Sequence, residues 1–335
     1  MEVSYETCAS SLFMLFLLSY TEQLFCQKTL GSCHSEERYI ALTKIKSRLG
    51  NQLYQLAAGY GIAQKAQRTY YYVLGGNSIT ERRVRNYLRR IAETFPKTLR
   101  MYKIFKTNEI KQMKIIFAPG ERFKRCCLYE DPARFIDHPA KYIQLSQGGA
   151  QNALYLEDYL PEIRQFFQFS EIARKRGEAD LGALQMGRYI LSTTFFDAHK
   201  HCDVQSWRAS EVPVGICSED TLYPFTEQIW KGLHHIILFG DDQDFMDSLA
   251  RILMANNSSR TVHISTYTEM SDFYISSRLC KSFLLSAPTS TMGWWLAFFT
   301  KNQNSVYYYK DRRNVEDYKM LTDEFYLKAW HRLNG

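Results

Sequence analysis

The chain has 335 residues, enough for one large or two medium domains, and its 45% hydrophobic and 15% aromatic content excludes a disordered or low-complexity protein. The formal charge of +7 is unevenly spread: residues 82–125 hold fourteen Lys or Arg against Glu93, Glu109 and Glu121, a net +11, so the remainder carries −4. A basic stretch suits an anionic ligand, a membrane surface or nucleic acid. Without an RNP, zinc-finger or related signature, no nucleic-acid partner is expected and a solvated helix face is the plainer reading.

The first apolar segment, Ala9 to Tyr20, is shorter than the roughly 20 residues a membrane span needs. It suits the apolar region of a signal peptide, although Glu2 and Glu6 precede it without a Lys or Arg. Residues 1–33 are expected to be a signal peptide, or a short signal anchor plus stem, giving possible membrane association. From Tyr39 the pattern alternates. YIALTKI predicts a strand, SRLG the turn after it, Asn51 to Lys65 a helix and TYYYVLG the next strand, a βαβ unit. Ser78 to Glu81 has the form of a capping box. It opens a helix whose apolar stripe is Val84, Tyr87, Leu88, Ile91 and Ala92, with Arg82, Arg85 and Arg89 largely off it.

Asn152 to Phe169 is aromatic and amphipathic and is expected to break at Pro161, and the glycines of Gly177 to Gly187 suggest a domain boundary. Beyond it come strands in RYILSTTFF, HHIILFG, RTVHIS, KSFLLSA and SVYYY, with helices at Asp244–Met254, Glu269–Leu279 and Met292–Phe299. The expectation is an α/β chain of two Rossmann-like doubly wound domains, residues 34–182 and 183–335. Asn256 to Ser259 carries two overlapping glycosylation acceptors. The eight cysteines contain no C-x-x-C pair, which argues against a zinc or redox site, and their even count is compatible with disulfides without fixing a connectivity. His199, His201, His234, His235 and His263 fit no metal spacing, so no metal is expected.

Three turns at strand ends could carry chemistry, because ligands of such sheets sit beyond the carboxyl ends of the strands. In the first, Gly50 lets the backbone approach a ligand, Asn51 can cap the helix, Gln52 follows, and Arg48 offers a fork of donors to phosphate or sugar. Ala57, Ala58, Gly59 and Gly61 would keep that helix thin against a sheet. In the second, Asp241 and Asp242 could orient sugar hydroxyls or cap the next helix. The third is SAPTSTMGWW, Ser286 to Trp295. Neither a GxGxxG nor a Walker loop is present, which removes support for a nicotinamide or ATP site.

Taken together, the segments carry a resemblance. SRLGNQLYQLAAGYGIAQ resembles the first motif of the α-1,2-fucosyltransferase family, ALYLEDYLPEIRQFFQFS and ILFGDDQDFM look like its aromatic and acidic-turn segments, and SAPTSTMGWWLAFF is similar to its last motif. They run in order from about residue 40 to 310. The resemblance implies transfer of fucose from GDP-fucose, as donor substrate and without cofactor or essential metal, to a galactose hydroxyl of a glycan acceptor with inversion. It further implies a GT-B-like two-domain architecture with residues 34–182 on the acceptor side and 183–335 holding the nucleotide sugar. Location would be the Golgi or secretory pathway, as a type II membrane-associated or secreted protein. Arg48, Gly50, Asn51, Gln52, Asp241, Asp242, Ser290, Thr291 and Trp294 are then the donor- and substrate-binding candidates.

The chain departs from the family at its centre. Where the strand at Arg188 to Leu191 should lead into His-x-Arg-Arg-x-Asp, it continues Ser192-Thr193-Thr194-Phe195-Phe196-Asp197, with Asp197 as the one candidate remnant. Without a metal, an arginine must stabilise the charge that develops on the leaving β-phosphate, and losing one such donor costs roughly 10²–10³ in rate. No residue can be named as general base. An active transferase and a catalytically inactive member that binds glycans or a partner protein both stay open. An unrelated nucleotide-binding module would need the phosphate loop that is missing.

Overall fold

β-Branched and aromatic runs form the eleven strands seen among the described residues, arranged as two all-parallel sheets. The first contains β1 (Tyr39–Leu42), β2 (Thr69–Val73), β3 (Lys103–Phe105), β4 (Ile115–Ala118) and β5 (Tyr142–Leu145), in the order β3-β2-β1-β5-β4. The second contains β6 (Ile190–Thr194), β7 (His235–Phe239), β8 (Thr261–Ile264), β9 (Cys280–Leu285), β10 (Val306–Tyr309) and β11 (His331–Leu333), in the order β11-β10-β9-β6-β7-β8. The helices are α1 (Leu49–Lys65), α2 (Ile79–Thr94), α3 (Leu154–Glu157), α4 (Leu160–Phe166), α5 (Glu171–Leu184), α6 (Gln243–Ala255), α7 (Glu269–Leu279) and α8 (Thr291–Phe299). This computed structural model describes residues 36–106, 109, 115–118, 127–145, 150–184, 190–194, 235–240, 242–255, 261–287, 289–309 and 323–333. The chain divides into Met1–Arg38 and Tyr39–Gly335, and everything below lies in the second unit. The α/β fold with two doubly wound parallel sheets is the one expected. The apolar segment Ala9–Tyr20 and the acceptor triplets at 256–259 lie outside the described residues.

The period-2 alternation of strands sorts side chains onto two faces of the first sheet. Ile40, Leu42, Tyr70, Tyr72, Ile143 and Leu145 join the main core beneath the helices, while Tyr39, Ala41 and Tyr71 form a small cluster on the other face. Tyr39 stacks on Tyr142 with centroids 5.1 Å apart and meets Phe105 edge-on at 5.1 Å. β1 is shorter than YIALTKI suggested, because the chain leaves the strand at Thr43. There the Thr43 N–H and hydroxyl both donate to Leu145 O (3.1 and 2.8 Å), and Lys44 Nζ turns to Val73 O at 2.8 Å.

α1 lies close to its neighbours for the reason its small residues suggested. A Cβ on Gly59 would fall 2.2 Å from the Tyr70 ring, and one on Gly61 would fall 1.7 Å from Tyr155 O. The capping box of α2 is half formed: Ser78 Oγ accepts from Glu81 N at 3.1 Å, but the Glu81 carboxylate binds Lys44 Nζ at 2.5 Å. Pro161 does not interrupt a long helix; it sits in the first turn of α4, where its missing N–H costs nothing. α5 runs through Gly177, whose absent side chain admits the Tyr274 ring; a Cβ there would come within 2.1 Å of it.

α7 carries a buried acid. Asp272 is 5% exposed, and the Ser265 hydroxyl, just past β8, donates to its Oδ1 at 2.5 Å. Burial pushes this carboxyl up to about 7, opposed by the Ser265 bond and assisted by the Glu269 and Asp180 carboxylates. Because the folded-state value lies above the unfolded one, the protonated form favours folding. The contribution of Asp272 to stability is then fully present below about pH 4 and is lost, by a few kcal/mol, as pH rises through about 7. Denaturant midpoints across that range should show the decline, and Asp272→Asn should flatten it; a parallel decline in the variant would rule Asp272 out as the cause. Separately, Gly61→Ala should cost about 2 kcal/mol, since the obstructing atom is backbone, and an unchanged urea midpoint would contradict the close approach.

Candidate functional site

In each sheet the strand order reverses at one point, between β1 and β5 in the first and between β6 and β9 in the second. Ligands of doubly wound sheets bind beyond the carboxyl ends at such points. The loops leaving β1 (residues 43–48) and β9 (residues 286–290) start there, and the helices they open meet each other.

The contact joins the first turns of α1 and α8. A Cβ on Gly50 would lie 2.8 Å from both Met292 N and Thr291 Oγ1, so a glycine is needed for the chain's own close approach, where a ligand contact had been expected. Thr291 Oγ1 donates to Asn51 Oδ1 at 2.6 Å, and Gln151 Nε2 donates to the same oxygen at 3.0 Å. Trp295 Nε1 donates to Gly50 O at 3.0 Å. Asn51 is therefore not the cap of α1: it lies within the first turn and ties that helix to α8. Arg48 occupies the N-cap position with extended backbone and an exposed side chain, and that side chain does not cap the helix.

Glutamines fix the loop before α1. Gln52 Nε2 donates to Ile45 O (2.9 Å) and Ser47 Oγ (3.2 Å), and Gln55 Nε2 donates to Thr43 O at 2.6 Å. The Oε1 atoms of Gln52, Gln55 and Gln151 are buried and accept no hydrogen bond among the described residues. Such orphaned acceptors cost about 1–3 kcal/mol each.

On the other helix, Ser290 is 3% exposed and caps α8 by accepting from Gly293 N at 3.1 Å, so it positions the helix instead of lining a cleft. Trp294 is 0% exposed, donates from Nε1 to Phe325 O at 2.8 Å, and packs on Tyr54, Phe298 and Trp330. Asp242 stands before α6, its carbonyl accepting from Met246 N at 3.1 Å. Asp241 and Asp197 lie outside the described residues. The structure thus brings Arg48, Gly50, Asn51, Gln52, Ser290 and Thr291 together, and the acidic turn follows a different strand, β7. Sequence reasoning passed over Gln55, Gln151 and Trp295; a second Gln three residues after Gln52, on the same helix face, was the available signal for one of them.

No family model matches the chain. Two curated galactoside 2-alpha-L-fucosyltransferases of Caenorhabditis elegans are similar to it. One is 25% identical over 309 residues, 85% of this chain and 74% of that protein; the other is 24% identical over 311 residues, 89% and 81%. The chain is thus similar, at about a quarter identity over most of its length, to curated fucosyltransferases. Among solved structures, POFUT1 in complex with GDP shares 12% identity at a TM-score of 0.46, over 78% of this chain and 94% of that one. The fucosyltransferase NodZ from Bradyrhizobium shares 14% at 0.48, over 79% and 94%. In this chain β6, after which the resemblance implies a His-x-Arg-Arg-x-Asp motif, is a central strand flanked by β7 and β9. Residues 195–200 lie outside the described ones.

If the clasp couples the two helices, Asn51→Ala should cost about 1–3 kcal/mol by stranding two donors. A double-mutant cycle with Thr291→Val should give a coupling of at least about 0.5 kcal/mol, and strict additivity would show that the contact carries no energy.

Proposed function

We propose that this chain is a galactoside α-1,2-fucosyltransferase-like protein of the secretory pathway that binds GDP-fucose and moves fucose, with inversion, to a galactose hydroxyl of a glycan. The observation that carries the reading is the meeting of two helix N-termini beyond the sheets' carboxyl ends, beside exposed Arg48. Each terminus presents the positive end of a helix dipole, and the N-cap side chain of α1 leaves its first-turn N–H groups uncapped. A diphosphate lying across this junction would receive backbone N–H bonds and a charge-assisted fork from Arg48. The names of the similar C. elegans proteins support the same chemistry, and the POFUT1 structure was solved with GDP. Attack by a galactose hydroxyl on the fucose anomeric carbon would expel GDP and invert that carbon. The chain would need no metal if arginine supplies the compensating charge. Cys127 is disulfide-bonded, which suits an oxidising, Golgi or extracellular location, and the Ala9–Tyr20 segment would supply targeting or a membrane anchor.

One observation favours a second reading, a catalytically inactive member that binds glycans or a partner. Beyond Thr194 the sequence reads Phe195-Phe196-Asp197, apolar where the leaving phosphate would need cations. Calorimetric titration of the purified chain with GDP-fucose, and with GDP alone, separates the two. Micromolar binding that weakens about tenfold or more in Arg48→Ala supports the donor site. Released GDP in the presence of a β-galactoside then supports transfer. Absence of binding at millimolar donor from a cooperatively folded sample would overturn the transferase reading.

A further inference from the structure

A strongly basic surface among the described residues plays no part in the site above. Along α2, Arg82, Arg83, Arg85, Asn86 and Arg89 are exposed, while Val84, Leu88 and Ile91 face the core. Residues 82–106 carry nine Lys or Arg against Glu93 alone. The helix's other acid, Glu81, is committed to Lys44, and Glu93 reaches Arg89 at 3.8 Å with both side chains about 70% exposed, too open to neutralise the row. Lys97, Arg100, Lys103 and Lys106 continue the exposed basic surface through the following turn to the sheet-edge strand β3.

This arrangement works against the helix. Arg82 with Arg85, and Arg85 with Arg89, are like charges at spacings of three and four, each costing a few tenths of a kcal/mol, and cations near the N-terminus oppose the dipole. A face shaped for stability alone would mix in acids or use neutral residues. All of the cations on α2 are arginines, whose planar forks suit bidentate carboxylate, sulfate and phosphate contacts.

We propose that the outer face of α2, with the edge leading to β3, docks a linear polyanionic glycan bearing sulfate or uronate groups. Arg82, Arg85 and Arg89 rise about 10 Å along the helix, roughly one cation per turn, a row that suits a charged chain lying lengthwise. From 82 to 93 the exposed residues are all polar, while the exposed apolar side chains Ile79, Leu99 and Ile104 flank that row at its start and along the β3 edge, so the vesicle arm of the test below decides between a glycan and a membrane surface. The choice of a glycan among linear polyanions rests on the function proposed above, but the docking itself needs no donor.

The test uses the full chain without nucleotide and a heparin-derived octasaccharide as probe, titrated at several salt concentrations. Arg82→Gln/Arg85→Gln/Arg89→Gln should bind about ten- to a hundredfold more weakly, with a flatter salt dependence and an unchanged or higher Tm. A control removing three exposed cations elsewhere, Arg251→Gln/Lys301→Gln/Lys328→Gln, should lose less than about threefold. Equal losses in the two variants, or none in the first, would overturn the proposal. Phosphatidylserine vesicles or duplex DNA bound as tightly as the octasaccharide would overturn the glycan assignment, whatever GDP-fucose does.

Discussion

The junction between the first turns of α1 and α8 is the constraint from which the candidate site follows. Thr291 and Asn51, 240 residues apart, share a hydrogen bond across it, and Gly50 leaves no room for a side chain. The hydroxyl–amide bond contributes about 1 kcal/mol net, so the contact is held by what lies under it. Trp294, Trp295 and Tyr54 are fully buried there, in mutual ring contact with centroids 4.8–6.3 Å apart. Aromatic side chains of this size bury about 150–250 Å² each, worth several kcal/mol apiece. Their indole N–H groups are spent on backbone carbonyls, Gly50 O and Phe325 O, which fixes the orientation of α8 as well as its distance. Two loops rooted in different sheets are thereby held in one arrangement before any ligand arrives.

This geometry changes what the sequence motifs mean. Gly-Asn-Gln near residue 50 and Gly-Trp-Trp near residue 293 look unrelated along the chain, and their joint presence points toward a shared ligand. In the fold they touch: the glycine of one admits the backbone of the other, and the second tryptophan of one bonds the carbonyl of the first motif's glycine. Packing alone is a sufficient reason for both to be present. The positions after β6 where the resemblance implies a cationic motif, residues 195–200, lie outside the described residues.

The fold was largely legible because strand and helix periods differ and the segments keep to one or the other. The βαβ alternation from Tyr39 and the later run of strands survive into two parallel sheets with boundaries shifted by a few residues. α8 is apolar all round, TMGWWLAFF, and a helix of that kind is buried wherever it falls. The errors fell where a polar residue has several legal partners. Asn51 could cap a helix, meet a ligand or bond a distant threonine, and sequence spacing cannot rank these because the deciding atom belongs to Thr291. Ser290 and Trp294, expected at a cleft, are buried in the junction for the same reason: a hydroxyl or indole beside a glycine suits a ligand loop and a tight helix junction equally.

The placement of cost around the β1–α1 loop argues that its shape is what the sequence specifies. Gln52 and Gln55 each use their amide N–H groups to pin loop carbonyls and leave a buried oxygen without a donor among the described residues. A methionine at either position would fill similar volume without the orphan, at the loss of the pin. The chain accepts a penalty of about 1–3 kcal/mol twice within four residues to hold Thr43 through Ser47 in place. That loop ends at Arg48, exposed at an uncapped helix N-terminus. Whether the ligand is turned over or merely held, the rigid delivery of one arginine to the mouth of the first sheet is the feature this local chemistry preserves.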